Sequence, residues 1–173
     1  MSVIFASPYE ALSLGDEFVS PERVVTEADV IAFAELTGDH HPQHVDARWA
    51  ESSIFGERIA HGLLVLSLAM GLAPIGPENV LALRRLRDVV FKRPVAFGDV
   101  IRARLVVRDL TGLSPDRGLV ALRLVVTVNG STAITAVLDV LWRCEAADLP
   151  HSAATPVDQS AQQAEGATTE IRG

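Results

Sequence analysis

Cysteine is almost missing: Cys144 is the single one in 173 residues, so no disulfide can form within the chain, and a reducing cytoplasm is the expected setting. Positive charge is also short. Fifteen Lys and Arg stand against 22 Asp and Glu, a net charge of −7, which argues against a general nucleic-acid binder because phosphate neutralisation needs a basic face. A small anionic ligand needs only a local basic patch and stays open. There is no long uninterrupted hydrophobic run. The most apolar stretch, "IAHGLLVLSLAMGLAPIG", is broken by His61, Gly62 and Ser67, too short to span a bilayer and suited to a buried helix. The first residues, "MSVIFASPYEALSLGDEF", have no basic segment ahead of a sustained apolar one, so no signal peptide is expected. No internal repeat is visible.

What is present suits one globular domain with a real core, at 49% hydrophobic and 21% charged residues. After Cys144 the composition turns to Ala, Ser, Thr, Gln and Pro with hardly a large apolar side chain. The expected boundaries are a folded domain over residues 1–146 and a disordered tail over 147–173, whose burial cannot offset its ordering entropy.

The first half reads as helical. Thr26 with Asp29 makes an approximate capping box, Val30, Phe33, Ala34 and Thr37 follow at helical spacing, and Gly38 is a stop. Asp46 caps a short helix over residues 47–52. Residues 62–73, ended by Pro74, form a helix apolar almost all round, which belongs inside something. The second half alternates apolar and polar residues from Ile101, from Val120 and from Ile134, with Asn129-Gly130 as a tight hairpin turn between the last two runs. Residues 17–25 and 86–91 add two more strands. Four or five mostly antiparallel strands with one hydrophobic helix for their concave face give an α+β architecture.

Four of the five histidines fall in "TGDHHPQHVDARWAESSIFGERIAHGLL": His40, His41, His44 and His61. Gly38 ends a helix and Pro42 disfavours helical geometry at His41, so "DHHPQH" is expected to be a loop. Asp39 and His44, five apart across the proline, suit proton transfer near neutral pH. A solvated polar loop explains the same spacing equally well. A zinc or iron site is disfavoured, because the loop removes the regular histidine spacing and no His-Glu-x-x-His pattern is present.

Phe33-Ala34, Thr37-Gly38-Asp39-His40-His41-Pro42-Gln43-His44-Val45-Asp46 and the later Ile59-Ala60-His61-Gly62 together resemble the two-part motif of the MaoC-like dehydratases, which include the (R)-specific enoyl-CoA hydratases. "FKRPVAFGD", Phe91 to Asp99, is similar to a strand-turn segment of that family, and the resemblance runs from about Arg23 to Trp142. It implies a single hot-dog domain, an antiparallel sheet wrapped around a long hydrophobic central helix. It also implies a homodimer or higher homo-oligomer with acyl-CoA, or an acyl group on a carrier protein, bound near the interface. By the same resemblance Asp39 and His44 are the catalytic pair, and Gly62 gives its backbone N–H to the thioester oxygen. The activity implied is enoyl-thioester hydration or the reverse dehydration in fatty-acid metabolism, with no metal or cofactor beyond the CoA thioester itself.

One residue departs from the pattern: the family's Asn before the proline is His41 here, which puts substrate range and pH profile in question. His40 lies at a variable position. His61 is expected to be structural, hydrogen-bonded at the start of the apolar helix. Arg84, Arg85, Arg87, Lys92 and Arg93 are the densest basic cluster and a candidate dock for the CoA phosphates, against the simpler reading of a solvated strand surface. A hot-dog thioesterase and a non-catalytic acyl-thioester-binding subunit are the rival functions.

Overall fold

Thr26 accepts the Asp29 N–H through its hydroxyl while the Asp29 carboxylate accepts the Thr26 N–H, and this reciprocal capping box starts helix α1 (Glu27–Thr37). Gly38 ends it in the left-handed region at φ 78°, where a side chain would be strained. A computed structural model describes residues 4–145 of the chain, and the expected tail over 147–173 lies outside the described residues.

Before α1 come β1 (Glu17–Val19) and β2 (Arg23–Val24), where a single strand is expected. Pro21 has no N–H to give to a ladder, and Ser20 fills the gap by accepting the Ala103 N–H on its hydroxyl at 2.9 Å. After α1 lie two short helices, α2 (Pro42–Val45) and α3 (Ala47–Glu51), and then α4 (Gly62–Gly71). The rest is four long strands: β3 (Val80–Phe91), β4 (Val100–Ser114), β5 (Arg117–Val128) and β6 (Ser131–Arg143).

All strands join one antiparallel sheet in the order β1-β4-β5-β6-β3, with β2 also on β4. The turn from β5 to β6 has Asn129 at φ 46° and Gly130 at φ 81°, the two positive values that a two-residue hairpin of matching twist requires. Register then aligns the apolar faces: Leu105 opposite Leu124, Leu124 opposite Ala136, Leu122 opposite Leu138. Helix α4 packs on that face and buries Leu64, Val65, Leu66 and Ala69 in the same cluster. Burial of each Leu or Val contributes about 1.5–3 kcal/mol and that of Ala69 less, so the apolar helix is held by the sheet that covers it. This is the hot-dog fold, α+β, that the resemblance implies.

Strand β3 starts six residues before its expected position. Three register shifts against β6 break its alternation and hide the strand from a period-two reading. It is pinned at Asp139 of β6, which is buried and accepts from Arg85 at 2.7 Å and from Arg87 at 2.9 Å. At this outer edge Leu81, Leu83, Leu86, Val90 and Phe91 are each at least 40% exposed.

Candidate functional site

The turn after Gly38 delivers Asp39 to the surface, and the chain then enters α2 rather than the expected loop. The reason is positional. Pro42 breaks a helix from within, but at the first helical position its missing N–H is one that no intrahelical acceptor would take and its φ is already helical. His41 caps this turn, and Nδ1 of its ring accepts the Gln43 N–H at 3.2 Å. Asp46 closes α2 and caps α3, accepting the Trp49 N–H at 3.1 Å.

On α2, His44 turns toward α4. Its Nδ1 lies 2.7 Å from the Ile59 carbonyl oxygen, which can only accept, so Nδ1 carries the proton and Nε2 is left with its lone pair. His61 is buried, and its Nε2–H donates to the Asp39 carbonyl oxygen at 3.0 Å. Its bond therefore reaches across to the Asp39 turn, whereas a bond within its own helix start was expected; the sequence gives no sign of this partner. The two rings lie against each other, 3.8 Å between centroids and tilted by 30°, and the Phe33 ring is 5.1 Å from that of His61. One Asp39 carboxylate oxygen is 3.9 Å from His61 Nε2, and Asp39 is half exposed.

Burial is the main cause that lowers the pKa of His44 below the ordinary 6.5; the Ile59 carbonyl and Asp39 oppose it, while His61 and His41 add to it. The result is an imidazole kept neutral with a free Nε2, the state a general base needs. Potential ligand atoms of Asp39, His44 and His61 all lie within 4.8 Å of one another, and these residues are the ones that would hold a metal. The Ile59 and Asp39 carbonyls already take His44 Nδ1 and His61 Nε2, which leaves one nitrogen on each ring for an ion.

His61 stands at the N-cap of α4 without a side-chain cap, so the first N–H groups of that helix, beginning with Gly62, lack an intrahelical or capping acceptor. Glycine at position 62 has its own reason, since any residue but proline would supply that N–H. A Cβ there would meet the Phe91 ring at 2.8 Å. Both residues line a cavity of about 410 Å³, with His44, apolar walls from Phe55, Ile59, Leu63, Val95 and Ile134, and the exposed Lys92 and Arg93. The basic cluster is thus divided: Lys92 and Arg93 reach the cavity, Arg85 and Arg87 hold Asp139, and Arg84 is exposed on β3. His40 is exposed beside the site.

A neutral imidazole and an uncapped helix start on an apolar cavity, with the Asp39 carboxylate beside the imidazole though not among the cavity-lining residues, can move protons and stabilise a developing oxyanion. Residues 11–129 match the family model described as a MaoC-like domain. Over 108 residues the chain is 40% identical to Protein MaoC of Klebsiella aerogenes, covering 62% of this chain and 32% of that protein. Over 115 residues it is 35% identical to an (R)-specific enoyl-CoA hydratase of Rhodospirillum rubrum, covering 65% of this chain and 76% of the hydratase. A solved Archaeoglobus structure described as a monoamine oxidase regulatory protein superimposes with a TM-score of 0.76 at 34% identity, over 80% of this chain and 95% of that one. The chain therefore spans about a third of the first relative and three quarters of the second.

Proposed function

Because the chain belongs to the MaoC-like domain family, we propose that it is an (R)-specific enoyl-thioester hydratase, or in reverse a 3-hydroxyacyl-thioester dehydratase, acting on an acyl-CoA. The observation that carries the reading is His44, its Nε2 left free by the Ile59 bond, on a cavity that also holds Gly62, with one of its ring nitrogens within 4.8 Å of an Asp39 carboxylate oxygen. In hydration the water oxygen bonds to C3 as the C2–C3 π pair moves toward the thioester, leaving negative charge on its oxygen. The Gly62 N–H, backed by the dipole of α4, stabilises that charge. Asp39 and His44 hold the water, take its proton and return one to C2, which leaves the pair unchanged after the turnover. No metal or redox cofactor is required by this chemistry.

The apolar wall receives the acyl chain, and Lys92 and Arg93 contact the CoA phosphates. The enzyme works as a homodimer, supported by the row of exposed apolar side chains on edge strand β3 and by Leu63 of α4, 60% exposed on the cavity wall. Its setting is the cytoplasm, in keeping with the buried, unpaired Cys144. Among the described residues no helix is long and apolar enough to cross a membrane. Assays across enoyl-CoA chain lengths test the reading: loss of the enoyl absorbance without thiol supports it, and thiol release in its place identifies a thioesterase.

A further inference from the structure

Arg123 lies on β5 between the core residues Leu122 and Leu124, so its side chain leaves the sheet on the face turned away from α4. There it lines a second cavity, of about 360 Å³, which shares no lining residue with the first. Two bulges shape its walls. Between Arg87 and Val90 strand β3 has one residue more than β6, and between Val107 and Asp109 strand β4 has one more than β5. Neighbours on a regular strand point to opposite faces, yet Arg87 with Asp88, and Arg108 with Asp109, line the same cavity from its two sides. Asp88 does so from the left-handed region, at φ 53°, which Asp tolerates better than most side chains. Between these walls Arg123 stands opposite Val137 of β6, with Ala121 one row to one side and Thr135 one row to the other.

Its acids have partners and two of its cations do not. Arg87 is held by Asp139 at 2.9 Å and lies 3.7 Å from Asp88, and Asp109 accepts the Thr111 hydroxyl at 3.3 Å. Further along β4, Arg102 and Arg104 are paired with Glu22 and Glu17. The side chains of Arg108, Arg123 and Thr135 have no ion pair or hydrogen bond among the described residues, in a chain of net charge −7. We infer that this cavity is a second binding site, for a small ligand carrying one phosphate group, with Arg108 and Arg123 as its ion partners and the Thr135 hydroxyl as a further donor. Guanidinium groups pair with phosphate through two parallel N–H bonds, and donors arriving from three strands match the three free oxygens of a phosphate monoester better than the two of a carboxylate. Asp88 and Asp109 offset the cations, which suits a single phosphate on a hydroxyl-bearing carrier and turns away a polyanion such as nucleic acid. The volume falls at the small end of ligand sites, roughly 300–1,000 Å³, and suits a carrier the size of a sugar. The site stands whether or not His44 handles protons in the other cavity.

Calorimetric titration of the full chain tests this, with inorganic phosphate, ribose 5-phosphate and adenosine 3′,5′-bisphosphate as probes. The last is the phosphate-bearing end of CoA without its thioester, and sodium chloride holds the ionic strength constant. At least one probe should bind saturably. Its affinity should fall about tenfold or more when Arg108→Gln and Arg123→Gln are combined, the worth of the lost charge-assisted hydrogen bonds, and about threefold or more in Thr135→Val, which keeps the shape without the hydroxyl. It should not change when Lys92→Gln and Arg93→Gln are combined. Tightest binding of ribose 5-phosphate identifies a sugar phosphate as the ligand class, and tightest binding of the bisphosphate identifies the nucleotide end of CoA. Both arginines are exposed, so circular dichroism of their double variant should match wild type. NMR of the chain labelled with nitrogen-15 gives the location directly: the Arg123 and Thr135 amides should shift with the probe, and those of His44 and Gly62 should not. Shifts confined to His44 and Gly62, or binding that is lost only with Lys92 and Arg93, would put the phosphate at the first cavity and overturn the inference. No saturable binding of any probe would overturn it as well. So would self-association that the Arg108 and Arg123 changes abolish, since the cavity would then be an interface between copies.

Discussion

His44 and His61 lie ring against ring at 3.8 Å, and each gives its ring proton to a backbone carbonyl on the other side of the site: His44 to Ile59, two residues before His61, and His61 to Asp39, five residues before His44. This crossed pair locks the Asp39 turn, α2 and the start of α4 into one unit. It also fixes His44 as the tautomer with a free Nε2.

Asp39→Asn and His44→Ala should each lower kcat for enoyl-CoA hydration by about two orders of magnitude or more, the usual worth of a proton-transfer group. Circular dichroism should change little in both; melting should change little in Asp39→Asn, where Asp39 is half exposed, and fall modestly in His44→Ala, which gives up the Ile59 bond and the His61 ring contact. Near-parental rates in both variants would mean that the pair is not catalytic.

His44 should titrate below 6.5, since burial disfavours its charged form. The sign follows directly: the neutral base is present above its pKa and is lost as pH falls through it, so its contribution to activity persists below the ordinary histidine range. Ring resonances of His44 followed by NMR check this, and a midpoint above 6.5 would contradict it.

Gly62→Ala keeps the backbone N–H yet places a methyl group 2.8 Å from the Phe91 ring. Phe91 is 48% exposed, so the ring can swing, and its way out is the cavity both residues line. The variant should fold and lose about tenfold or more in kcat/KM, on the order of one displaced reacting geometry. Adding Phe91→Leu should recover part of the loss; no recovery would point to a changed helix start instead.

Asp139→Asn removes the buried carboxylate that Arg85 and Arg87 share on β3. Arg87, then Arg85, hold the Asp139 pKa below the usual carboxylate range against the opposing effect of burial. Its contribution to stability is therefore present above the unfolded carboxylate value and is lost as pH falls through the lowered one. The substitution should cost about 1–3 kcal/mol near neutral pH by chemical denaturation, with a smaller gap to wild type in acid.

Much of this architecture is legible in the sequence because it is set locally. The Thr26–Asp29 box, the Gly38 stop, the Asp46 cap and the Asn129-Gly130 turn each depend on side chains within a few residues. Features set by distant partners are hidden. Pro42 reads as a breaker until the chain is seen to begin a helix at it, and β3 loses its alternation to three register shifts. The basic cluster looks continuous, yet Asp139, an isolated acid within the apolar run of β6, takes two of its members. For the site, the motif points to Asp39, His44 and Gly62; the ring contact of His61 with His44 comes only from folding residues 17 apart onto each other.

The central claim is hydration at the Asp39–His44 site, and crotonyl-CoA with a thiol trap present tests it most directly. The enoyl absorbance should disappear in wild type but not in Asp39→Asn, no free CoA should be trapped, and the product should be (R)-3-hydroxybutyryl-CoA. Stoichiometric thiol release, the (S) product, or no turnover of crotonyl-CoA or any longer enoyl-CoA would contradict it.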